Sequence, residues 1–428
     1  MEKLTGLLGV IAIFGIAFLM SNNKKKLNYR LIGSGFALQI ILAVFVLKVE
    51  FGRQLFQAVG DGITALLHCS DAGAEFVFGP LVQKDSVDKV FGPGTMIFAF
   101  KVVPTIIFVS ALVSISYYIG LMQRVVQIVA KIVSTIMGAS GAEALSNAAS
   151  VFVGQVEAQL LIRPYVASMT MSELLASMTG SMACVAGGVL AVYIGMGIKA
   201  QYLLTASIMA APGALVIAKI VWPETEESKT KGKVQIEVQK TNANVIDAAA
   251  HGASDGLRIG LNVVAMLLAF IALIHLADIC VNFVGKGLSN MGMSLAFMNV
   301  ELSTLTMKDL FGLFFSPIAW LLGVPWADAP IVGKLMGEKI ALNEFVAYMD
   351  LSAMLKDPAA HPLSAQAETI VTFALCGFAN LGSIAMQIGG IGEIAPSRRA
   401  DLARLGVKAL ICGTMASYLS AALAGLLT

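Results

Sequence analysis

Charge is scarce in this chain: Asp, Glu, Lys and Arg make up 13% of its 428 residues, about half the share of an ordinary soluble domain. A soluble globular fold is thereby disfavoured. The charges nearly cancel, 29 Lys plus Arg against 27 Asp plus Glu for a formal +2, so no basic field exists to hold nucleic acid. Cysteine is sparse and scattered. Cys69, Cys184, Cys280, Cys376 and Cys412 are odd in number and show no C-x-x-C spacing, which argues against a disulfide framework or a zinc cluster. The four histidines are equally dispersed, and no H-E-x-x-H, G-x-S-x-G or G-x-x-x-x-G-K-[ST] string occurs. Metalloprotease, serine hydrolase and P-loop NTPase chemistries lose their basis, and no cofactor is implied.

What is present is hydrophobic, 57% of the chain, and gathered into runs. Segments free of Asp, Glu, Lys and Arg cover 4–20, 31–47, 102–123, 174–198, 200–218, 259–277, 311–327, 369–392 and 409–428, each near the ~20 residues a helix needs to cross the hydrocarbon core. Lys24, Lys25 and Lys26 follow the first run instead of preceding it, so it reads as a retained helix with its N-terminus outside and not as a signal peptide. Pro317 and Pro325 interrupt the 311–327 run, which reads with the stretch to Tyr348 as a re-entrant hairpin. Ala144 to Ile162, split at Gly154, Gln155 and Glu157, reads as a second hairpin. The fold class expected is an all-α polytopic membrane protein, with eight transmembrane helices and two re-entrant hairpins arranged as inverted repeats.

Counted with the N-terminus outside, seventeen of the 29 cationic residues fall on the inner side, consistent with the positive-inside rule. A multi-pass protein of a plasma membrane is expected, the inner membrane where the source is bacterial. The polar stretch from Glu224 to Asn244 reads as a mobile cytoplasmic loop between two halves. Five units are expected: scaffold helices and interfacial segments over 1–140, a first repeat over 141–222, a linker over 223–258, a central helix over 259–300, and a second repeat over 301–428. Each repeat runs hairpin, glycine-broken span, span, and the single crossing between them turns one upside down. Inverted repeats with discontinuous helices place a transporter's binding site near the midplane, where helix ends expose unpaired N–H and C=O groups.

Each hairpin carries one carboxylate at membrane depth, Glu157 and Glu344, and an acid there costs enough to make accidental placement improbable. A salt bridge, for instance Glu157 with Arg163, is the bland alternative. Gln155 and Asn380 offer both donors and acceptors, which suits a neutral hydrogen-bonding ligand better than an anion. An intramembrane enzyme would need a nucleophile and base, or a metal set, that the apolar runs do not show, and a channel needs no paired carboxylates on inverted hairpins. Transport of a nucleobase or another small polar solute remains an alternative. His275, the span-end Lys101 and Lys219, and Met291, Met293 and Met298 receive structural readings: a packed histidine, snorkelling lysines and gap-filling methionines.

Six strings make the chain resemble the concentrative nucleoside transporter family: Val151-Phe-Val-Gly-Gln-Val-Glu157, Arg163-Pro-Tyr165, Ala186-Gly-Gly-Val189, Gly323-Val-Pro-Trp326, Asn343-Glu-Phe-Val-Ala-Tyr348 and Cys376-Gly-Phe-Ala-Asn380. The resemblance implies a homotrimer in lipid, each protomer pairing a scaffold with a mobile transport domain that works as an elevator. It places the nucleobase against Gly154, Gln155, Val156, Glu157 and Val189. It places the ribose against Glu344, Phe378, Asn380 and Ser383. A carboxylate accepting ribose hydroxyls and an amide pairing with a base edge are chemically sensible. Where the family usually has Thr, this chain has Val156, which leaves base preference open. The family's sodium site maps to Ser150, Val153, Cys184 and Val185. Ser150 replaces an Asn and Cys184 replaces a Ser, an exchange of hard oxygen for soft sulfur that sodium disfavours. The coupling ion is therefore Na+ or H+, with the two level.

Overall fold

A computed structural model describes residues 2–92, 97–231, 242–291, 301–357 and 362–428. Met293, Met298 and His361 lie outside these residues, as does 232–241 of the linker. All regular structure among the described residues is helical. The chain opens with two apolar helices, α1 (Glu2–Leu19) and α2 (Tyr29–Leu47), then an amphipathic α3 (Glu50–Phe78) and a short α4 (Lys84–Phe91).

Two series of helices follow in matching order. The first comprises α5 (Phe98–Tyr118), α6 (Leu121–Met137), α7 (Gly141–Ser150), α8 (Glu157–Leu160), α9 (Arg163–Val166), α10 (Met171–Ala183), α11 (Gly187–Gly195) and α12 (Ala200–Val221). The second comprises α13 (Val245–Asn290), α14 (Met307–Leu321), α15 (Ala329–Ala341), α16 (Glu344–Lys356), α17 (Ala365–Leu375), α18 (Leu381–Ile394) and α19 (Arg399–Leu427). Each series has a long helix, a second helix, two short arms, a helix broken in the middle, and a closing helix. Among the described residues six segments are long and apolar enough to cross a membrane, the α10–α11 pair among them, and Thr5–Leu19 is a shorter apolar helix.

Local signals explain the boundaries. Gly120, at φ +79°, turns the chain from α5 into α6. Capping boxes start α7 (Ser140 with Glu143) and α10 (Thr170 with Glu173), each satisfying two orphan N–H groups. Asn343, Ser364 and Asn380 accept from the N–H three residues on and start α16, α17 and α18. The breaks fall at Cys184 to Ala186 and at Cys376 to Asn380.

The buried core lies among α10, α12, α17 and α19, which pack on one another and hold large fully buried side chains such as Met178, Met182 and Phe373. α13 packs along α5 through Gly252, Gly256 and Gly260, one per turn. A Cβ at Gly256 would fall 2.7 Å from Ile107 Cα, so the two backbones meet without intervening side chains. The opposite side of α13 is apolar and exposed, with Leu268 at 70% and Phe283 at 80%.

Several expectations change. The 259–277 crossing is the middle of a 46-residue helix whose polar ends, around Asp247, Asp255 and Lys286, hid its length. Pro317 lies within a continuous α14, and the reversal falls later, at Leu342 and Asn343 between α15 and α16. The 102–123 run is cut at Gly120. Lys219 does not snorkel: it is buried and paired with Glu143 at 2.7 Å and Glu224 at 3.3 Å. Lys101 pairs with Asp71 at 2.6 Å. His275 is exposed beside Asp278 and Asn282 and is not a packed histidine. The start of the linker is not free either, because Thr230 accepts the Gly141 and Ala142 N–H groups at the head of α7.

Candidate functional site

The two breaks meet. Phe378 N–H donates to the Cys184 carbonyl at 3.2 Å, joining the broken helix of one repeat to that of the other. Gly377 makes the approach possible. Its φ of +136° is one that side-chain-bearing residues rarely adopt, and a Cβ there would fall 2.7 Å from the Ala183 carbonyl oxygen.

From this crossing a chain of polar side chains runs through both repeats. Glu344, the first residue of α16, is buried; its carboxylate accepts from the Tyr193 hydroxyl at 3.1 Å and the Asn380 amide at 3.3 Å. Asn380 caps α18, its Oδ1 accepting from Ser383 N–H at 2.9 Å and Ser383 O–H at 3.2 Å. Ser383 Oγ in turn accepts from Gln155 Nε2 at 3.3 Å. Gln387 Nε2 completes the chain, donating to Gln155 Oε1 at 3.4 Å and to the Met178 carbonyl at 3.1 Å. A carboxylate at a helix N-terminus is favoured by the exposed N–H groups there, and no Lys or Arg forms an ion pair with Glu344 among the described residues.

Of the expected site residues, Gln155, Glu344, Asn380 and Ser383 are thus connected directly. Phe378 is half-buried at the crossing. Val156 packs on α18, where a Cβ at Gly390 would fall 2.6 Å from its methyl groups. Gly154, Glu157 and Val189 line a cavity of about 330 Å³, together with Tyr117 and Gln123 of the α5–α6 corner and Asp255 of α13. That volume lies within the range of small-molecule pockets. Glu157 folds back so that a Cβ at Gly154 would fall 2.1 Å from its Oε2, and it makes no ion pair with Arg163. Tyr193 and Gln387 were missed. Tyr193 looks like filler in an apolar run, whereas Gln387 lies four and seven residues after Ser383 and Asn380, positions already suspected, on one face of a helix.

The expected cation ligands are less distinctive. Ser150 Oγ donates to the Ser146 carbonyl at 2.8 Å and lies 3.1 Å from Ser181 Oγ. Cys184 directs its thiol to the Ser207 carbonyl at 3.7 Å. Val153 and Val185 sit in the non-helical turns, where backbone carbonyls are free of helical pairing.

Comparison with known proteins agrees with this architecture. The chain matches the family models for the Na+ dependent nucleoside transporter N-terminus over residues 8–81 and C-terminus over 202–425, with a nucleoside recognition gate over 99–200. It is 40% identical to the nucleoside permease NupC of Helicobacter pylori, over 99% of this chain and 98% of that one. It is 38% identical to the mouse sodium/nucleoside cotransporter 1, over all of this chain and 64% of that one. Its structure is similar to that of CNTnw in an inward-facing substrate-bound state, with a TM-score of 0.92 at 43% identity over 100% and 98% of the two chains. A CNTnw variant in an intermediate state matches with a TM-score of 0.93 at 43% identity, over the whole of both chains.

Proposed function

The chain belongs to the Na+ dependent nucleoside transporter family, and from that premise we propose that it performs cation-coupled uptake of nucleosides across a bacterial inner membrane. The observation that carries the site is the hydrogen-bonded chain from Tyr193 through Glu344, Asn380, Ser383 and Gln155 to Gln387. It offers a carboxylate and an amide for the ribose hydroxyls, and an amide pair for a base edge. Gly154, Glu157, Val156 and Val189 border the base, with Phe378 beside the sugar. Exchange then requires movement of the whole unit, because the two breaks are bonded to each other.

In this reading eight spans and two hairpins make up the chain, α7 to α9 being one hairpin and α15 with α16 the other. Residues 141–222 and 301–428 form the moving repeats. Residues 1–140 and α13 form the scaffold, and the expected 223–258 linker shortens to the stretch before α13, which begins at Val245. The exposed apolar side of α13 suits contact with lipid and with two further protomers of a homotrimer. One monovalent cation moving down 100 mV supplies ~2.3 kcal/mol, roughly fifty-fold accumulation of a neutral solute, so Na+ and H+ would each suffice. The family's sodium dependence favours Na+, held at Ser150, Val153, Cys184 and Val185.

The test is counterflow and uptake of labelled uridine and adenosine by the purified protein in liposomes, with sodium and proton gradients imposed separately. Saturable uptake driven by either gradient is expected. Absence of uptake of both nucleosides under both gradients would overturn the reading.

A further inference from the structure

Two lysines are buried to the point of exclusion from solvent, and their surroundings differ. Lys219 has the carboxylates of Glu143 and Glu224 and the Ser172 hydroxyl at 2.9 Å. Lys339, on α15, is 0% exposed and has no carboxylate within ion-pair distance among the described residues. Its ammonium donates to the Ala374 carbonyl at 2.9 Å, in the last turn of α17, where carbonyls lack helical partners and a cation is favoured. It also lies 5.8 Å from the centre of the Tyr418 ring, whose hydroxyl is buried without a partner.

An unpaired buried ammonium is costly, and so is an unpaired buried carboxylate. The same hairpin holds one of each. Glu344, five residues after Lys339 and across the hairpin turn, is 4% exposed and bonded only to neutral donors, Tyr193 and Asn380. The titratable groups around the pair are Tyr193 from α11, Tyr348 from α16, Cys376 from the α17 break and Tyr418 from α19. All are neutral in their ordinary forms at pH 7, so the two charges have only each other.

The first repeat lacks such a cation. Its corresponding arm, α7, touches the last turn of the broken helix through the Ser150 and Ser181 hydroxyls, and α7 contains neither Lys nor Arg.

We propose that Lys339 is a resident cation of the second repeat: a tethered ammonium, anchored on the end of α17, that balances Glu344 so that this repeat takes up no mobile coupling ion. The inference rests on the transport function proposed above. Lys339 is a positioning and charge-balancing residue, not a ligand for the nucleoside.

The experiment compares the full-length protein with Lys339→Met in liposomes, measuring charge moved per uridine from the voltage at which net uptake vanishes. Loss of the tethered charge leaves Glu344 to recruit a cation, so the charge-to-uridine ratio rises by one. Sodium-free and proton-clamped arms identify which ion is recruited. An unchanged ratio in an active variant overturns the inference, whereas a wild-type protein that moves no uridine overturns the transport function instead. A variant that is silent or unstable is read by a thermal-unfolding cycle with Glu344→Gln and the double variant. Removing one partner of a buried charge pair is far more harmful than removing both, so the double variant should be more stable than Lys339→Met alone. Additive losses would show that Lys339 only caps α17, and would overturn the proposal even without transport.

Discussion

Asn380 has two separable duties, and substitutions can divide them. Its Oδ1 caps α18 through the Ser383 N–H at 2.9 Å, while its Nδ2 donates to the buried Glu344 carboxylate at 3.3 Å. An N-cap is worth about 1 kcal/mol, and Ser serves there nearly as well as Asn. A hydrogen bond to a charged group is worth about 1.5 to 3 kcal/mol, which converts to roughly ten- to hundredfold in uptake efficiency. Asn380→Ser keeps a capping oxygen but is too short to deliver the amide to Glu344. It should fold like the parent and lose ten- to hundredfold in uridine uptake efficiency. Asn380→Ala should lose as much uptake and also about 1 kcal/mol of stability. The assay is initial uptake rate against uridine concentration, normalised to surface protein, beside thermal unfolding in detergent. Near-normal uptake by Asn380→Ser would refute the assignment of Asn380 to the ligand. Uptake falling only in step with folded protein would reduce the residue to a cap.

Three further outcomes are expected. Competition against labelled uridine should be at least tenfold weaker for 2′,3′-dideoxynucleosides than for their parents, since a site built to bond hydroxyls rejects analogues lacking them; equal inhibition constants would remove Glu344, Asn380 and Ser383 from the sugar. Ser150→Asn with Cys184→Ser should tighten sodium activation, measured as half-saturating sodium at fixed pH with a protonophore control, because oxygen replaces sulfur beside the turn carbonyls. Gly377→Ala should destabilise the protein by about 1 to 3 kcal/mol in a thermal melt, since its Cβ would fall 2.7 Å from the Ala183 oxygen; a melt like the parent's would show that the crossing has slack.

The helical membrane architecture was legible because apolar runs of crossing length need no tertiary information. Glu157, Glu344, Gln155 and Asn380 were legible for the converse reason, as polar groups set in apolar stretches. The rest depended on packing. Charged ends concealed the extent of α13, and the first three residues of α6, Leu121 to Gln123, read as the tail of the 102–123 crossing because none of them is charged. Tyr193 had nothing to mark its hydroxyl. Lys339 was masked by its neighbour: both side chains are buried, but Glu338 reaches Lys308 at 2.8 Å whereas Lys339 points about 100° away around the helix, and the string Gly-Glu-Lys cannot say which of the two finds an ionic partner.

The hydrogen bond from Phe378 to the Cys184 carbonyl bears on how leakage is prevented. In a carrier whose two lobes are held together by cargo, an empty carrier is a loose one, and looseness itself stops it from cycling unladen. Here the lobes are fastened by their own backbones, which makes looseness a poor means of telling an empty unit from a laden one. On the transport cycle proposed above, the discrimination comes from charge: a moving unit with Glu157 unbalanced would meet an electrostatic barrier in the hydrocarbon, and a bound cation would lower it. Futile cycling would then be restrained by the membrane's dielectric, and on that proposal mutations that neutralise Glu157 should convert an accumulating pump into an equilibrating one.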